Sequence, residues 1–238
     1  MPVRTEEKFN IPFYHIFYNP YFIIRSGIYK GIKKYSPDLT GHLMDFGCGT
    51  KPYEHLFRKT TKYTGVDYKG GGNNYKNTKV DIYYDGHKLP ILDSTFDSVL
   101  STEVIEHIFN PDEILKEIWR VLKPDGTFLL TCPFLWPEHE QPWDYARYSS
   151  FGIKHLLKKN GFKIISQEKT GNFPLCITQL LVLYLYMFIP KVPIVKHILF
   201  LIFCFPILLL GIIFNLVAPS IMKRKDLYLN NLVLCKKL

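Results

Sequence analysis

The chain has 238 residues, room for one α/β domain with a substantial core and some additions, and it carries a formal charge of +9 with 16% aromatic residues. Such a charge suits nucleic acid or an anionic membrane surface. With no arginine-rich tract and no interleaved basic and aromatic motif, nucleic acid is set aside as a partner.

The five cysteines, at 48, 132, 176, 204 and 235, show neither Cys-x-x-Cys spacing nor clustering with histidine. That pattern argues against a zinc site or a disulfide framework and fits a reducing compartment. The start, Arg4-Thr-Glu-Glu-Lys8, leads into aromatics broken by Pro12 and Pro20, without the apolar run of a secretory signal.

From Tyr21 to Tyr35 the spacing predicts an amphipathic helix, with Ile24, Ile28 and Ile32 on one face and Arg25, Lys30, Lys33 and Lys34 elsewhere. It would cover the edge of a sheet, with contact to a membrane surface as the alternative. Strands and helices then alternate. His42–Phe46 reads as a buried strand running into a glycine turn, Gly47-Cys-Gly49. A helix is expected from Tyr53 to Lys59, and a second strand, Tyr63–Asp67, ends on a lone acid.

Gly47 and Gly49 permit backbone angles and close ligand approach that a Cβ would block. Asp67 follows Gly47 by 20 residues, the spacing at which a nucleotide-binding βαβ unit places a carboxylate for ribose hydroxyls. The third glycine of the dinucleotide fingerprint is missing, because Lys51-Pro52 stands there.

A loop rich in glycine and asparagine, Gly70–Asn74, precedes a short strand near 79–83. A fourth strand covers Phe96–Ser101. Asn110-Pro-Asp-Glu113 predicts a helix start with a capping side chain, a first-turn proline and two acids at the positive end of the dipole. The chain turns at Lys123–Gly126 into a fifth strand, Thr127–Thr131. Ser149 or Ser150 opens another helix, closed at Asn160-Gly161, and Phe162–Ser166 is a sixth strand. This alternation implies a largely parallel sheet.

The composition then changes. Phe173–Pro190 runs 18 residues without a charge, and Ile198–Pro219 runs 22 with Asn215 as its only strongly polar residue. After Lys223-Arg-Lys225 the chain regains soluble character, and Asn231–Lys236 reads as one last strand. The apolar stretch is therefore an insertion within one domain. Crossing ~30 Å of hydrocarbon takes about 20 apolar residues, so the second segment qualifies, with Pro206 expected to kink it, and the first is marginal. Flanking strands in one sheet require an even number of crossings or a hairpin that only dips in. Lys191 and Lys196 in the connector disfavour a connector outside. The favoured reading is a shallow or re-entrant hairpin, against two full crossings, a buried helical pair or a dimer interface.

Together, Asp45-Phe-Gly-Cys-Gly49, Gly65-Val-Asp67, Asp85-Gly-His-Lys-Leu-Pro90, Phe96–Leu100, Glu106-His107 and Leu122–Gly126 resemble the class I S-adenosylmethionine-dependent methyltransferases, of the methyltransferase type 11-like group. The resemblance covers about residues 40–170 and the final strand. It implies an α/β fold, a Rossmann-like seven-stranded, mostly parallel sheet flanked by helices, with the apolar helical hairpin inserted before the last strand. The divisions would be an aromatic and basic extension (1–41), a methyltransferase domain (42–172 plus 226–238) and a membrane-associating insertion (173–225).

The resemblance also implies S-adenosyl-L-methionine as cofactor. Asp45, Gly47 and Gly49 would hold its amino-acid portion, Asp67 the ribose, and Asp85 with Gly86 the adenine, with Asp81 as a competitor for that contact. Ser101 and Thr102 would lie beside the sulfonium. Lys51-Pro52, where relatives carry a further glycine, stiffens this loop and leaves the outer wall of the pocket open to question.

The acceptor side falls on residues 132–148, dense in aromatic and titratable groups. His139 is the candidate general base for a hydroxyl acceptor. Asp144 and Arg147, three apart on an expected helical turn, form either an ion pair or a substrate contact. Trp136, Trp143 and Tyr145 either stack on a ring or pack the loop. Glu106-His107 reads as structural. No metal is expected, since His139 and Cys132 lack further ligands nearby.

The expected protein is thus a methyltransferase on the cytoplasmic face of a membrane, acting on a small-molecule or lipid-linked acceptor, with its oligomeric state open. A nicotinamide-dependent oxidoreductase and a non-catalytic membrane scaffold are the rivals.

Overall fold

The computed structural model describes residues 12–70, 78–217 and 224–238. Arg4–Lys8, residues 71–74 of the glycine-rich loop, the end of the second apolar segment and Lys223 fall outside them. Seven strands form one sheet: β1 (Gly41–Phe46), β2 (Thr60–Tyr68), β3 (Ile82–Tyr84), β4 (Phe96–Thr102), β5 (Leu122–Pro133), β6 (Phe162–Thr170) and β7 (Asn230–Lys237). Their order is β3-β2-β1-β4-β5-β7-β6. β1 pairs parallel with β2 and β4, and β3 and β5 continue that direction. Only β7 runs antiparallel, between β5 and β6. The expected sheet, its mostly parallel sense and the strand after the insertion are all present.

Two apolar layers cover the sheet. On one face, α2 (Pro111–Val121) and α3 (Ser150–Lys159) bury Ile114, Leu115, Ile118, Ile153 and Leu157 against Phe46, Phe128 and Phe162. On the other lies α1 (Phe22–Tyr35), where Ile24, Ile28 and Ile32 are buried as their spacing predicts. Complete burial of such a side chain contributes roughly 1.5–3 kcal/mol. A Cβ on Gly31 would come within 2.3 Å of Leu232 on β7, so the bare glycine lets α1 lie close to the sheet. Lys34 and Tyr35 bond Glu168 on the edge strand β6. The alternative of a membrane contact through these isoleucines gives way to packing.

Several boundaries differ from expectation. Tyr53–Lys59 forms only a 3-10 turn, Glu54–Leu56, with Tyr53 and Phe57 buried on either side of it. Asn110 makes no side-chain cap, so the helix starts on Pro111 alone, whereas Ser149 Oγ accepts the Gly152 amide at 3.1 Å. β5 begins at Leu122, which pairs with Phe96 of β4, while β7 joins it only from Thr127 onward.

The insertion is an antiparallel helical hairpin, α4 (Phe173–Met187) and α5 (Pro193–Val217). Just before Pro206 the helix widens into a stretch of π-helix, Phe200–Cys204, where the Phe205 amide donates to the Phe200 carbonyl five residues back. The helices meet closely: a Cβ on Gly211 would lie 2.3 Å from Thr178 Oγ1, and Asn172 bonds Asn215 at 2.5 Å. Their inner faces enter the α1 core through Cys176, Val182, Phe200, Cys204 and Leu208. Gln179, fully buried, accepts from the Ile24 amide at 3.2 Å and donates to the Pro20 carbonyl at 2.6 Å. Hairpin, N-terminal segment and sheet thus share one core.

Candidate active site

The carboxyl ends of β1, β2 and β4 meet at the glycine turn. Gly47, at φ +75°, could not carry a Cβ, which would fall 2.3 Å from Val104. Its amide and that of Cys48 bond the Val66 carbonyl at 2.8 and 3.2 Å, tying the turn to β2. Asp67, at the end of β2, accepts from the Gly49 amide at 2.8 Å through Oδ2 and from the Tyr68 amide at 2.8 Å through Oδ1. The acid and the glycine turn, 18 residues apart in sequence at this contact, form one unit. Partial burial raises the Asp67 pKa against those two amides.

Asp45 is buried beneath the turn, and Tyr63 donates to it at 2.7 Å. Loss of water pushes its carboxyl up to about 7. The structure accounts for the departure at residue 51. Lys51 takes φ +52°, lies buried, and reaches Asp81 at 2.5 Å, while Asp81 also accepts from the Gly65 amide at 2.6 Å. Asp81 is thereby committed to holding the loop.

Asp85 is exposed just past β3, where Oδ1 accepts from the amides of His87 and Lys88 at 2.9 and 3.0 Å. Gly86, at φ +92°, lies against the Tyr68 ring. Ser101 is buried at the end of β4, beside half-buried Thr102. All eight expected cofactor residues therefore lie on one end of the sheet, where ligands of open α/β folds bind.

Beyond β4 the structure reveals acids that the sequence reading did not assemble. Glu103 has φ +54°, a conformation costly for a side-chain-bearing residue. It accepts from Thr131 Oγ1 at 2.7 Å and from Asn230 on β7 at 2.6 Å, and burial lifts its pKa to about 7. Glu106 is 0% exposed, and burial beside Glu103 drives its pKa upward. Neither Glu106 carboxylate oxygen has a hydrogen-bond partner among the described residues. His107 Nδ1 lies 2.8 Å from the Trp143 carbonyl, and its Nε2 is 3.8 Å from Glu106 Oε1 and from Glu140 Oε2. The signal available in the sequence was an acid directly after the strand and a second one three residues later.

The 132–148 loop is knit by Arg147. Its guanidinium holds Asp144 through both oxygens at 2.5 and 2.6 Å and bonds the carbonyls of Trp136, Pro137 and Ala146. This ion pair holds the Asp144 pKa down at about 2. The pair thus binds itself and the loop, and residues 144–149 are extended coil, not the expected helical turn. Asp144 also lies 3.2 Å from His139 Nδ1, with the His107 ring packed edge-on at 4.8 Å. Burial, with His107 adjacent, lowers the His139 pKa. His139 is a neutral imidazole near pH 7 with an oriented ring. Cys132 is buried away from it, beside Asn231.

The geometry defines a nucleotide-type cofactor edge facing a loop of titratable groups, and known proteins place it. Residues 44–130 match the methyltransferase domain family, a match that supports a class I S-adenosylmethionine-dependent methyltransferase with S-adenosylmethionine as cofactor.

A probable S-adenosylmethionine-dependent methyltransferase of Mycolicibacterium smegmatis is 38% identical over 133 residues, 51% of this chain and 52% of that one. A sterol 4-C-methyltransferase of Caenorhabditis elegans is 32% identical over 100 residues, 37% of this chain and 30% of that one. The match thus spans about half or less of these curated relatives. Among solved structures, phosphoethanolamine N-methyltransferase 2 of Haemonchus contortus, in complex with S-adenosyl-L-methionine, superposes with a TM-score of 0.54 at 19% identity, covering 98% of this chain and 57% of that one.

Proposed function

We propose that the protein transfers the methyl group of S-adenosylmethionine to a hydroxyl, or a comparable nucleophile, of a lipid-linked sugar, glycan or lipid-like acceptor at the cytoplasmic face of a membrane. The observation that carries the acceptor class is continuity: Leu135 and Trp136 of the acceptor-side loop pack into the same apolar cluster as α1, α4 and α5. Tyr21 and Trp136 have ring centroids 6.1 Å apart. An acceptor reaching that loop from the hairpin side travels along apolar surface.

The hairpin favours lying on a membrane over crossing it. Its outer face exposes Phe173, Ile177, Leu181 and Tyr184 on α4, Phe188 just after it, and Ile194, Ile198, Ile202 and Leu210 on α5. A contiguous apolar face of this kind on one side of a domain marks an interaction surface. Lys191, Lys196 and His197 at the hairpin tip supply cations for anionic headgroups. At 15 residues α4 is about 22 Å long, short of a span. Its inner face is bound to α1, which keeps lipid from surrounding it. The sterol acceptor of one relative is compatible with this reading.

On the cofactor side, Asp45, Gly47 and Gly49 would hold the amino-acid moiety, Asp67 the ribose, and Asp85 with Gly86 the adenine, Asp81 being engaged by Lys51. Ser101 and Thr102 would flank the sulfonium. His139 is the group on which acceptor activation depends, with Asp144 orienting its ring; Trp143 shapes the acceptor wall and Arg147 holds it in place. Methyl transfer is an in-line displacement, and positioning of this kind supplies up to ~7–11 kcal/mol.

The test incubates the purified chain with isotopically labelled S-adenosylmethionine and a lipid extract, then seeks label in a product heavier by one CH2. Label confined to water-soluble acceptors would overturn the lipid assignment. His139→Ala is expected to cut turnover by roughly 10²–10⁴ with cofactor affinity retained; unchanged turnover would return His139 to packing.

A further inference from the structure

We propose that Glu106, His107 and His139 form a binding site for a divalent transition-metal cation, and that this cation is what activates the acceptor. The consequence for catalysis rests on the methyltransferase reading above; the binding itself does not. One ligand atom from each residue lies within 4.8 Å of the others. Ligands at 2.0–2.2 Å around a tetrahedral ion stand about 3.4 Å apart, so modest side-chain rotation closes the set.

The proton assignment at His107 points its lone pair inward. The Trp143 carbonyl, 2.8 Å from His107 Nδ1, can only accept, so Nδ1 carries the hydrogen and the neutral ring presents its Nε2 lone pair. That lone pair faces the Glu106 and Glu140 carboxylates at 3.8 Å, too far for a hydrogen bond. In His139, Nδ1 stands between the Asp144 carboxylate at 3.2 Å and the donating Arg147 guanidinium at 3.3 Å, so a cation taken up at Nε2 would move the ring hydrogen to Nδ1, where Asp144 accepts it. Imidazoles oriented by a carbonyl or a carboxylate on the second nitrogen are the usual support for metal ligands.

Glu106 supplies the independent observation. Its side chain has no exposure, and both carboxylate oxygens lack hydrogen-bond partners among the described residues. A buried carboxylate left this way is costly unless a cation or another partner compensates it.

Two imidazoles and one carboxylate suit zinc, iron or manganese, and not calcium or magnesium, which prefer all-oxygen sets. Three protein ligands leave a coordination position for the acceptor oxygen. Bound there, the hydroxyl loses its proton to solvent more readily. Its oxygen forms the new bond to the methyl carbon, the carbon–sulfur bond breaks, and S-adenosylhomocysteine leaves with the electron pair, without redox change.

The test titrates the metal-stripped full chain with Zn2+ and with Co2+, following heat and ligand-field absorption, and measures S-adenosylmethionine binding in parallel. The expected result is one equivalent bound, with affinity reduced more than ~10-fold in Glu106→Gln and in His107→Ala. Retained cofactor binding establishes that the variants fold. Turnover should fall on stripping and return with the ion. Absence of a saturating equivalent in the wild type, or equal metal affinity in folded variants, overturns the metal site while leaving the methyltransferase reading in place. Metal binding without S-adenosylmethionine binding would overturn the opposite one.

Discussion

At the residue scale, two carboxylates stand at the proposed cofactor edge, and their replacement has different expected outcomes. Asp67 takes two backbone amides in the free protein, yet each oxygen keeps a lone pair for a ribose hydroxyl. Asp67→Ala is expected to weaken S-adenosylmethionine binding by about 2–3 kcal/mol, some 30- to 150-fold. A change below about threefold by calorimetry, with the fold intact, would remove Asp67 from the site. Asp45 instead reports through pH. With its pKa raised to about 7, the free protein holds a proton there below neutrality that the unfolded chain has already lost. The cofactor-free protein therefore loses stability as pH rises from about 4 to about 7, and is level above. A cationic methionine moiety favours the ionised form, so binding expels that proton, and affinity should rise about tenfold between about pH 6 and about pH 8. Calorimetry in buffers of different ionisation enthalpy checks this, and a pH-independent affinity would place Asp45 outside the contact.

The elements show which parts of the molecule sequence periodicity can reach. Ile24, Ile28 and Ile32 encode the buried face of α1 locally, and Gly47 with Asp67 encodes the cofactor turn through short-range spacing. Glu106-His107 and His139 are separated by 32 positions, and nothing in the sequence joins them; the contact arises only because β4 and β5 are neighbours. Lys51 reaching Asp81, and Gln179 reaching Pro20, belong to the same long-range class. The expected helix at 53–59 shows the limit of local spacing: Tyr53 and Phe57, four apart, would share one helix face, yet a seven-residue span is too short to sustain a helix by itself and only a 3-10 turn forms. Close packing makes its own prediction for α1. Gly31→Val pushes a branched side chain into Leu232, and overpacking of this kind costs about 1–3 kcal/mol, more than the gain in helix propensity. A lowered thermal midpoint is expected; an unchanged one would mean that α1 shifts freely on the sheet.

Taken as a whole, the molecule has one side built of hairpin and N-terminal aromatics and an opposite side of ordinary helices over a sheet. Replacing 173–222 by a flexible linker would open the core that the hairpin shares with α1 and the sheet, so that deletion destabilises the domain. Outward residues provide the cleaner experiment. Ile194→Glu with Ile198→Glu touches side chains 74% and 51% exposed, so stability should change little while co-sedimentation with anionic vesicles falls. Undiminished sedimentation would sink the membrane orientation.

The position of β7 has a consequence for biosynthesis. It lies between β5 and β6 yet follows both in the chain, with the whole hairpin translated before it. On the ribosome, β6 has no neighbour and the edge of β5 stays open until β7 emerges, while α4 and α5 are already exposed. The hairpin therefore meets its surroundings before the domain can close over its inner face. A bilayer available at that moment would act on a chain still choosing its contacts, and the order of synthesis becomes part of how the protein reaches its place.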